Sequence, residues 1–188
     1  GYAVNNYMCG YYWNIMWLDC IMIFPLIALG MDGLIKKNDP RMYTLALFYS
    51  MFCNYYISFI ICIFLVLWFL ATGHETFKKF ILDGLRFAGC SILSVGMAAM
   101  SLLIAYLAIN KTASAGTELP HWSWYQSFYE LIRNQYFLTK PIAMDSFDGN
   151  ANIYCGTLCY VALFIYICSD KIKLFEKIRK LVLVAFLL

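Results

Sequence analysis

The stretch YTLALFYSMFCNYYISFIICIFLVLWFLAT, residues 43–72, is thirty residues with no Lys, Arg, Asp or Glu. A basic cluster stands before it (Lys36, Lys37, Arg41) and another after it (Lys78, Lys79, Arg86). One helix of that length reaches about 45 Å, well beyond the roughly 30 Å of a bilayer's hydrocarbon core. Basic segments next to apolar ones stay in the cytoplasm, so both ends of 43–72 are expected on one side and the segment must cross an even number of times. Two short helices, 43–53 and 57–72, satisfy this, with the polar break CNYYIS (53–58) as the external tip of a hairpin. Irregular backbone is tolerated at membrane depth only where it meets protein or a watery cavity, which places the tip in such a cavity.

The rest of the chain follows from that hairpin. It has 188 residues, of which 63% are hydrophobic and 13% charged. Soluble domains are about 45–50% apolar and about 25% charged, so the composition is that of an integral membrane protein. A third basic cluster comprises Lys171, Lys173, Lys177, Arg179 and Lys180, and the three clusters hold eleven of the fourteen Lys and Arg. Segments 35–42, 73–86 and 169–180 are therefore expected in the cytoplasm and 110–153 outside. Helices are expected at 18–34, 43–53, 57–72, 87–109 and 154–168, with 1–10 the tail of an earlier span and 181–188 the start of a later one. The fold class is all-α: a polytopic transmembrane bundle forming a single domain over 1–188.

Two amphipathic segments complete the topology. HETFKKFILDGLR (74–86) reads as a short stretch on the cytoplasmic surface. In the external segment, Trp124, Phe128, Leu131 and Ile132 share a helical stripe, which suits a helix lying in the interface. The chain starts at Gly1 and ends on LVLVAFLL, and it reads as an internal piece of a larger protein. The eight cysteines lie mostly in apolar runs with no CxxC, so packing is their expected role and no metal site is expected from them. No GxGxxG, Walker motif, HExxH or nucleic-acid patch is present.

The candidate chemistry lies on the external side. Asp19 stands at the mouth of the first apolar run, after Trp13, Asn14 and Trp17. An acid at the membrane boundary needs water or a partner, although Asp before an apolar run is also a good helix cap. Asn54, Tyr55 and Tyr56 offer hydrogen-bonding groups for a phosphate or sugar, or serve only to break the helix. His121 beside Trp122, and the Asp145/Asp148 pair in AMDSFDGN, are further external candidates.

YWNIMWLD (12–19) leading into IFPLIALGMDGLIKK, then SMFCNYYISFIICIFLVLWFL (50–70), then FDGNANIYCG (147–156) resemble the bacterial YfhO-like membrane proteins across essentially all 188 residues. That resemblance implies a GT-C-type glycosyltransferase using a polyprenyl-phosphate sugar donor and a cell-envelope polymer acceptor such as lipoteichoic acid. The implied partners are these two and membrane lipid, with no nucleic acid, and a divalent metal ion is a candidate cofactor. It casts Asp19 as a supporting acid and Asn54, Tyr55 and Tyr56 as donor contacts. Asn14, Trp17, His121 and Asp148 are further substrate-binding candidates on their residue types and external position alone. It also places the fold's principal catalytic Asp before residue 1. Many GT-C enzymes carry Lys or Arg where this chain has Asn-Tyr-Tyr. The rival readings are a transporter or flippase of lipid-linked sugar and a noncatalytic membrane scaffold.

Overall fold

The computed structural model describes residues 15–73, 76–111, 129, 133, 156–169 and 172–187. These form seven helices: α1 (Ile15–Lys37), α2 (Arg41–Cys53), α3 (Tyr55–Ala71), α4 (Phe77–Met97), α5 (Ala99–Asn110), α6 (Thr157–Cys168) and α7 (Leu174–Leu187). No strand occurs among the described residues. The all-helical bundle expected from the composition is what the chain forms. By length and composition α1 and α4 can each cross a membrane. The chain divides into two compact units, one containing α2 to α5 and nearly all of α1, the other α6 and α7.

The segment 43–72 is a hairpin. Tyr43, at the start of α2, and Phe69, near the end of α3, both pack on the ring of Phe87, at centroid distances of 5.7 and 5.3 Å. A single helix would hold these two residues about 39 Å apart. The chain reverses at Asn54, whose backbone is extended (φ −155°, ψ 107°). Its Oδ1 accepts from the N–H groups of Tyr56 and Ile57 at 3.0 and 3.2 Å, which caps α3. Asn does this readily because its short amide competes with helical backbone bonding. α2 spans 13 residues and α3 17, or roughly 20 and 26 Å of rise, both short of a full hydrocarbon core.

α1 runs antiparallel to α2. Near the turn between them, Gly30 is pressed against the second helix: a Cβ there would lie 2.6 Å from Tyr43 N and 2.7 Å from Tyr43 Cα. Small residues of this kind let helix backbones approach closely. The turn uses Asn38 in the left-handed region (φ 56°), a conformation Asn tolerates at a helix C-terminus. Asp39 Oδ1 then accepts the Arg41 N–H at 3.1 Å. The core between α1, α2, α3 and α4 is built from Ile27, Met31, Leu34, Tyr43, Leu47, Leu65 and Phe69, all buried. Edge-on ring packing of Phe24 on Phe64 (5.3 Å) joins α1 to α3.

α4 departs from the sequence expectation at both ends. The segment 74–86 is expected as a separate surface stretch, yet from Phe77 it continues into the apolar helix without interruption. The reason is packing: Phe80 and Phe87, seven residues apart on one face, both stack on Phe69, at 5.4 and 5.3 Å. The expected helix 87–109 is in turn broken at Ala98 (φ −88°, ψ 3°), between α4 and α5. Ser101 Oγ donates to the Ala98 carbonyl at 3.0 Å, beside the Leu102 N–H, which donates to it at 3.1 Å. Two hydrogen bonds pin α4 to α2: Tyr43 and Ser91 are bonded at 2.8 Å, and Ser94 donates to the Thr44 carbonyl at 3.0 Å.

In the other unit, Lys177 is buried and donates to the Ile167 carbonyl at 2.8 Å, while the Lys180 ammonium sits 5.8 Å from the Tyr166 ring centroid. These contacts hold α7 to α6. Basic residues expected in the loop 169–180 thus lie partly within α7, which begins at Leu174 rather than 181.

Candidate functional site

The break at Asn54 and the first turns of α1 meet at the same end of their unit. Asn54 Nδ2 donates to the Met16 carbonyl at 3.3 Å, one turn before Asp19. Asp19 is half-buried and lies close enough to act electrostatically on both Tyr49 and Cys20. Tyr49 lies on α2 one turn before Cys53. Tyr55 and Tyr56 follow the break with exposed rings, and Trp17 is half-buried. One carboxylate, three phenols and a carboxamide thus belong to the end of the unit where the chain reverses at Asn54.

A buried polar knot holds this end together. Cys20, Ser50 and Ser58 come from three helices, and all are fully buried. Ser50 and Ser58 share a 2.7 Å hydrogen bond. The Cys20 thiol donates to the Ser50 carbonyl at 3.3 Å and lies 3.7 Å from the Asn54 carbonyl and 3.9 Å from Ser58 Oγ. Because buried polar groups cost free energy unless paired, this set fixes how α1 meets the hairpin tip. Along the chain Cys20 reads as a small hydrophobe, and Tyr49, Ser50 and Ser58 do not stand out. A signal for the serines is present: Ser50 and Ser58 stand four residues either side of Asn54, which puts both hydroxyls on the same side of the break.

The cations gather at the opposite end. Lys36 and Lys37 lie 17 and 18 residues along α1 from Asp19, roughly 26 Å away. Arg86 donates to Asn38 Oδ1, which brings the α4 cluster to the α1–α2 turn. The buried carboxylate of Asp83 lies 3.6 Å from the Arg86 guanidinium, and Lys36 pairs with Asp32 at 2.5 Å.

Asn54 serves mainly its own fold. Its Oδ1 is occupied by two backbone donors and one amide proton by Met16, which leaves one amide proton for a ligand. Asp19 and the phenols of Tyr49, Tyr55 and Tyr56 are then the better equipped groups: a carboxylate can accept a proton or hold sugar hydroxyls, and phenols can donate to an anionic oxygen. Asn14, His121 and Asp148 lie outside the described residues. Among the described residues no group of three or more His, Cys, Asp or Glu is placed to hold a metal ion. Among the described residues the donor set around Asp19, one carboxylate among neutral phenols and an amide, does not fit one.

The model of one protein family, described as bacterial membrane protein YfhO, matches residues 1–188. Neither curated proteins nor solved structures give a match.

Proposed function

The chain belongs to the family of the bacterial membrane protein YfhO, and from that premise we propose that it serves a GT-C-type membrane glycosyltransferase. The donor is a polyprenyl-phosphate sugar and the acceptor a cell-envelope polymer such as lipoteichoic acid, met on the external face. The observation that supports this reading is the 3.3 Å bond from Asn54 to Met16, with the Asp19 carboxylate one turn further along α1. An acid and a polar helix break share one end of the unit, and the basic residues that favour the cytoplasm occupy the other.

The reaction is an inverting displacement. An acceptor hydroxyl attacks the anomeric carbon, the bond from that carbon to the phosphate oxygen breaks, and polyprenyl phosphate leaves with the electron pair. The hydroxyl proton passes to a carboxylate. Asp19 acts as the supporting acid, holding acceptor or sugar hydroxyls in line with the bond that breaks. Tyr55 and Tyr56, with the remaining amide proton of Asn54, meet the phosphate as its charge develops. Neutral donors in this role take the place of the Lys or Arg carried by many enzymes of this fold.

The test is Asp19→Asn in the full-length protein, with sugar transfer to the envelope polymer measured from membranes containing equal amounts of enzyme. Loss of a positioned carboxylate predicts a fall on the order of a hundredfold. Transfer at the unaltered rate removes Asp19 from the site. Flipping of lipid-linked sugar in reconstituted vesicles without any transfer favours the transporter reading instead.

A further inference from the structure

Cys20 is the first member of the stripe that α1 buries, ahead of Ile27, Met31 and Leu34. It is fully buried and therefore out of reach of a ligand. Its thiol enters the fork between α2 and α3, donating to the Ser50 carbonyl at 3.3 Å and lying 3.7 Å from the Asn54 carbonyl and 3.9 Å from Ser58 Oγ. Those two carbonyls flank the reversal of the chain, and each already accepts one backbone N–H, from Asn54 at 3.0 Å and from Ser58 at 3.1 Å. Below Cys20 the next fully buried residue of α1 is Ile27, roughly 10 Å further along the helix. Near the start of α1, two hydrogen bonds bracket Asp19. One runs from Asn54 Nδ2 to the Met16 carbonyl at 3.3 Å, the other from the Cys20 thiol to Ser50.

We infer that Cys20 is a positioning residue for Asp19: anchored on the Ser50–Ser58 pair, it fixes the rotation of α1 and so the direction in which the carboxylate meets the hairpin tip. The inference rests on the reading of Asp19 as the supporting acid. Successive helical residues stand about 100° apart around the axis, so a thiol held in the fork leaves its neighbour half-buried at the edge of the fork, where Asp19 lies. With side chains a helix has a radius of about 5–6 Å, and a slip of about 20° would carry the carboxylate about 2 Å. A misplacement of about 1 Å is enough to cost on the order of a hundredfold in a reaction that depends on alignment. The hydroxyls of Ser50 and Ser58 bond each other at 2.7 Å, and the thiol links α1 to them. Without it the Asn54–Met16 bond remains, but that bond grips α1 on one side of Asp19 only.

The experiment is a double-mutant cycle in the full-length protein, with kcat for sugar transfer measured from membranes holding equal amounts of folded enzyme. Cys20→Ala is expected to lower kcat by on the order of tenfold or more. Cys20→Ser, which keeps a donor for the Ser50 carbonyl, is expected to restore most of it. In an Asp19→Asn background the same Cys20→Ala change is expected to cost less than about twofold, since a residue that acts through the carboxylate has nothing left to position. Ser58→Ala reaches the knot from α3, is expected to lower kcat about fivefold through one lost buried hydrogen bond, and serves if Cys20→Ala fails to fold. Leu47→Ala, a core change away from Asp19, is expected to leave kcat within about twofold of the parent once folded amounts are matched. Parental kcat in Cys20→Ala or Ser58→Ala, an equal loss with and without the Asp19 carboxylate, or a loss as large in Leu47→Ala would each overturn the inference and leave Asp19 as the supporting acid. Asp19→Asn at the parental rate would overturn both.

Discussion

α2 and α5 are nearly the same length, 13 and 12 residues, and neither has an acidic residue in its first turn or a basic one in its last. α2 buries Tyr43, Thr44, Ala46, Leu47, Ser50 and Met51, whereas no residue of α5 is buried. Apolarity does not separate them. What does is hydrogen bonding to neighbouring helices. Ser50 bonds to Ser58 of α3, and the Thr44 carbonyl receives Ser94 of α4. The one serine of α5, Ser101, turns back to the Ala98 carbonyl at its own helix start. Where lipid is as apolar as Leu, close packing and hydrogen bonds rather than water exclusion hold helices together. An interior helix is thus marked by what it bonds, not by how greasy it is.

The contrast is broken most directly by truncating the same residue type in both helices. Leu47 is 0% exposed and Leu103 59%. Leu47→Ala is expected to destabilise by about 3 kcal/mol through the cavity it leaves, and Leu103→Ala by less than about 0.5 kcal/mol. Thermal unfolding in a mild detergent reads both, and equal losses would show that α2 is not the packed helix. The next effect comes from Gly30. An added methyl there meets the Tyr43 backbone, which cannot rotate away, while Gly33 has nothing within 4 Å. Gly30→Ala should cost about 2 kcal/mol, and Gly33→Ala should be neutral or stabilising by up to about 1 kcal/mol. The smallest effect belongs to the hydroxyls. Ser50→Ala strands Ser58 in a buried site, for a loss of about 1 kcal/mol, and Ser101→Ala should fall within about 0.5 kcal/mol of the parent. A Ser50→Ala protein as stable as the parent would show that the polar knot under Asn54 does not hold the hairpin tip.

Much of this organisation is legible along the chain. The all-helical bundle and the reversal at CNYYIS follow from composition and from two basic clusters bracketing an uncharged run too long for one crossing. Asn54 as the break is legible because its side chain caps the helix that follows. The fate of 74–86 is not legible. HETFKKFILDGLR has the pattern of a surface amphipath, and only the stacking of Phe80 and Phe87 on Phe69, a residue in another helix, turns its part from Phe77 onward into the first half of α4. The break at Ala98 is equally hidden, since SVGMAAM carries no Pro and no charge. In the candidate site, Asp19 and Asn54 stand out as polar residues among apolar ones. Cys20, Ser50 and Ser58 do not, because each is ordinary within its own helix and acquires a role only from partners eight to thirty-eight residues away.

By itself the order of residues determined the helical class, the hairpin and the separation of an acidic, tyrosine-rich end from a basic one. Each depends on hydropathy, charge and capping, which act within a few residues of chain or between a segment and its solvent. The tertiary structure alone decided which apolar faces are interior, where α4 begins and ends, and which hydroxyls and thiol stand beneath Asn54. Those outcomes depend on contacts between helices, where a methyl group's width or a single hydrogen bond chooses among faces that look alike along the chain.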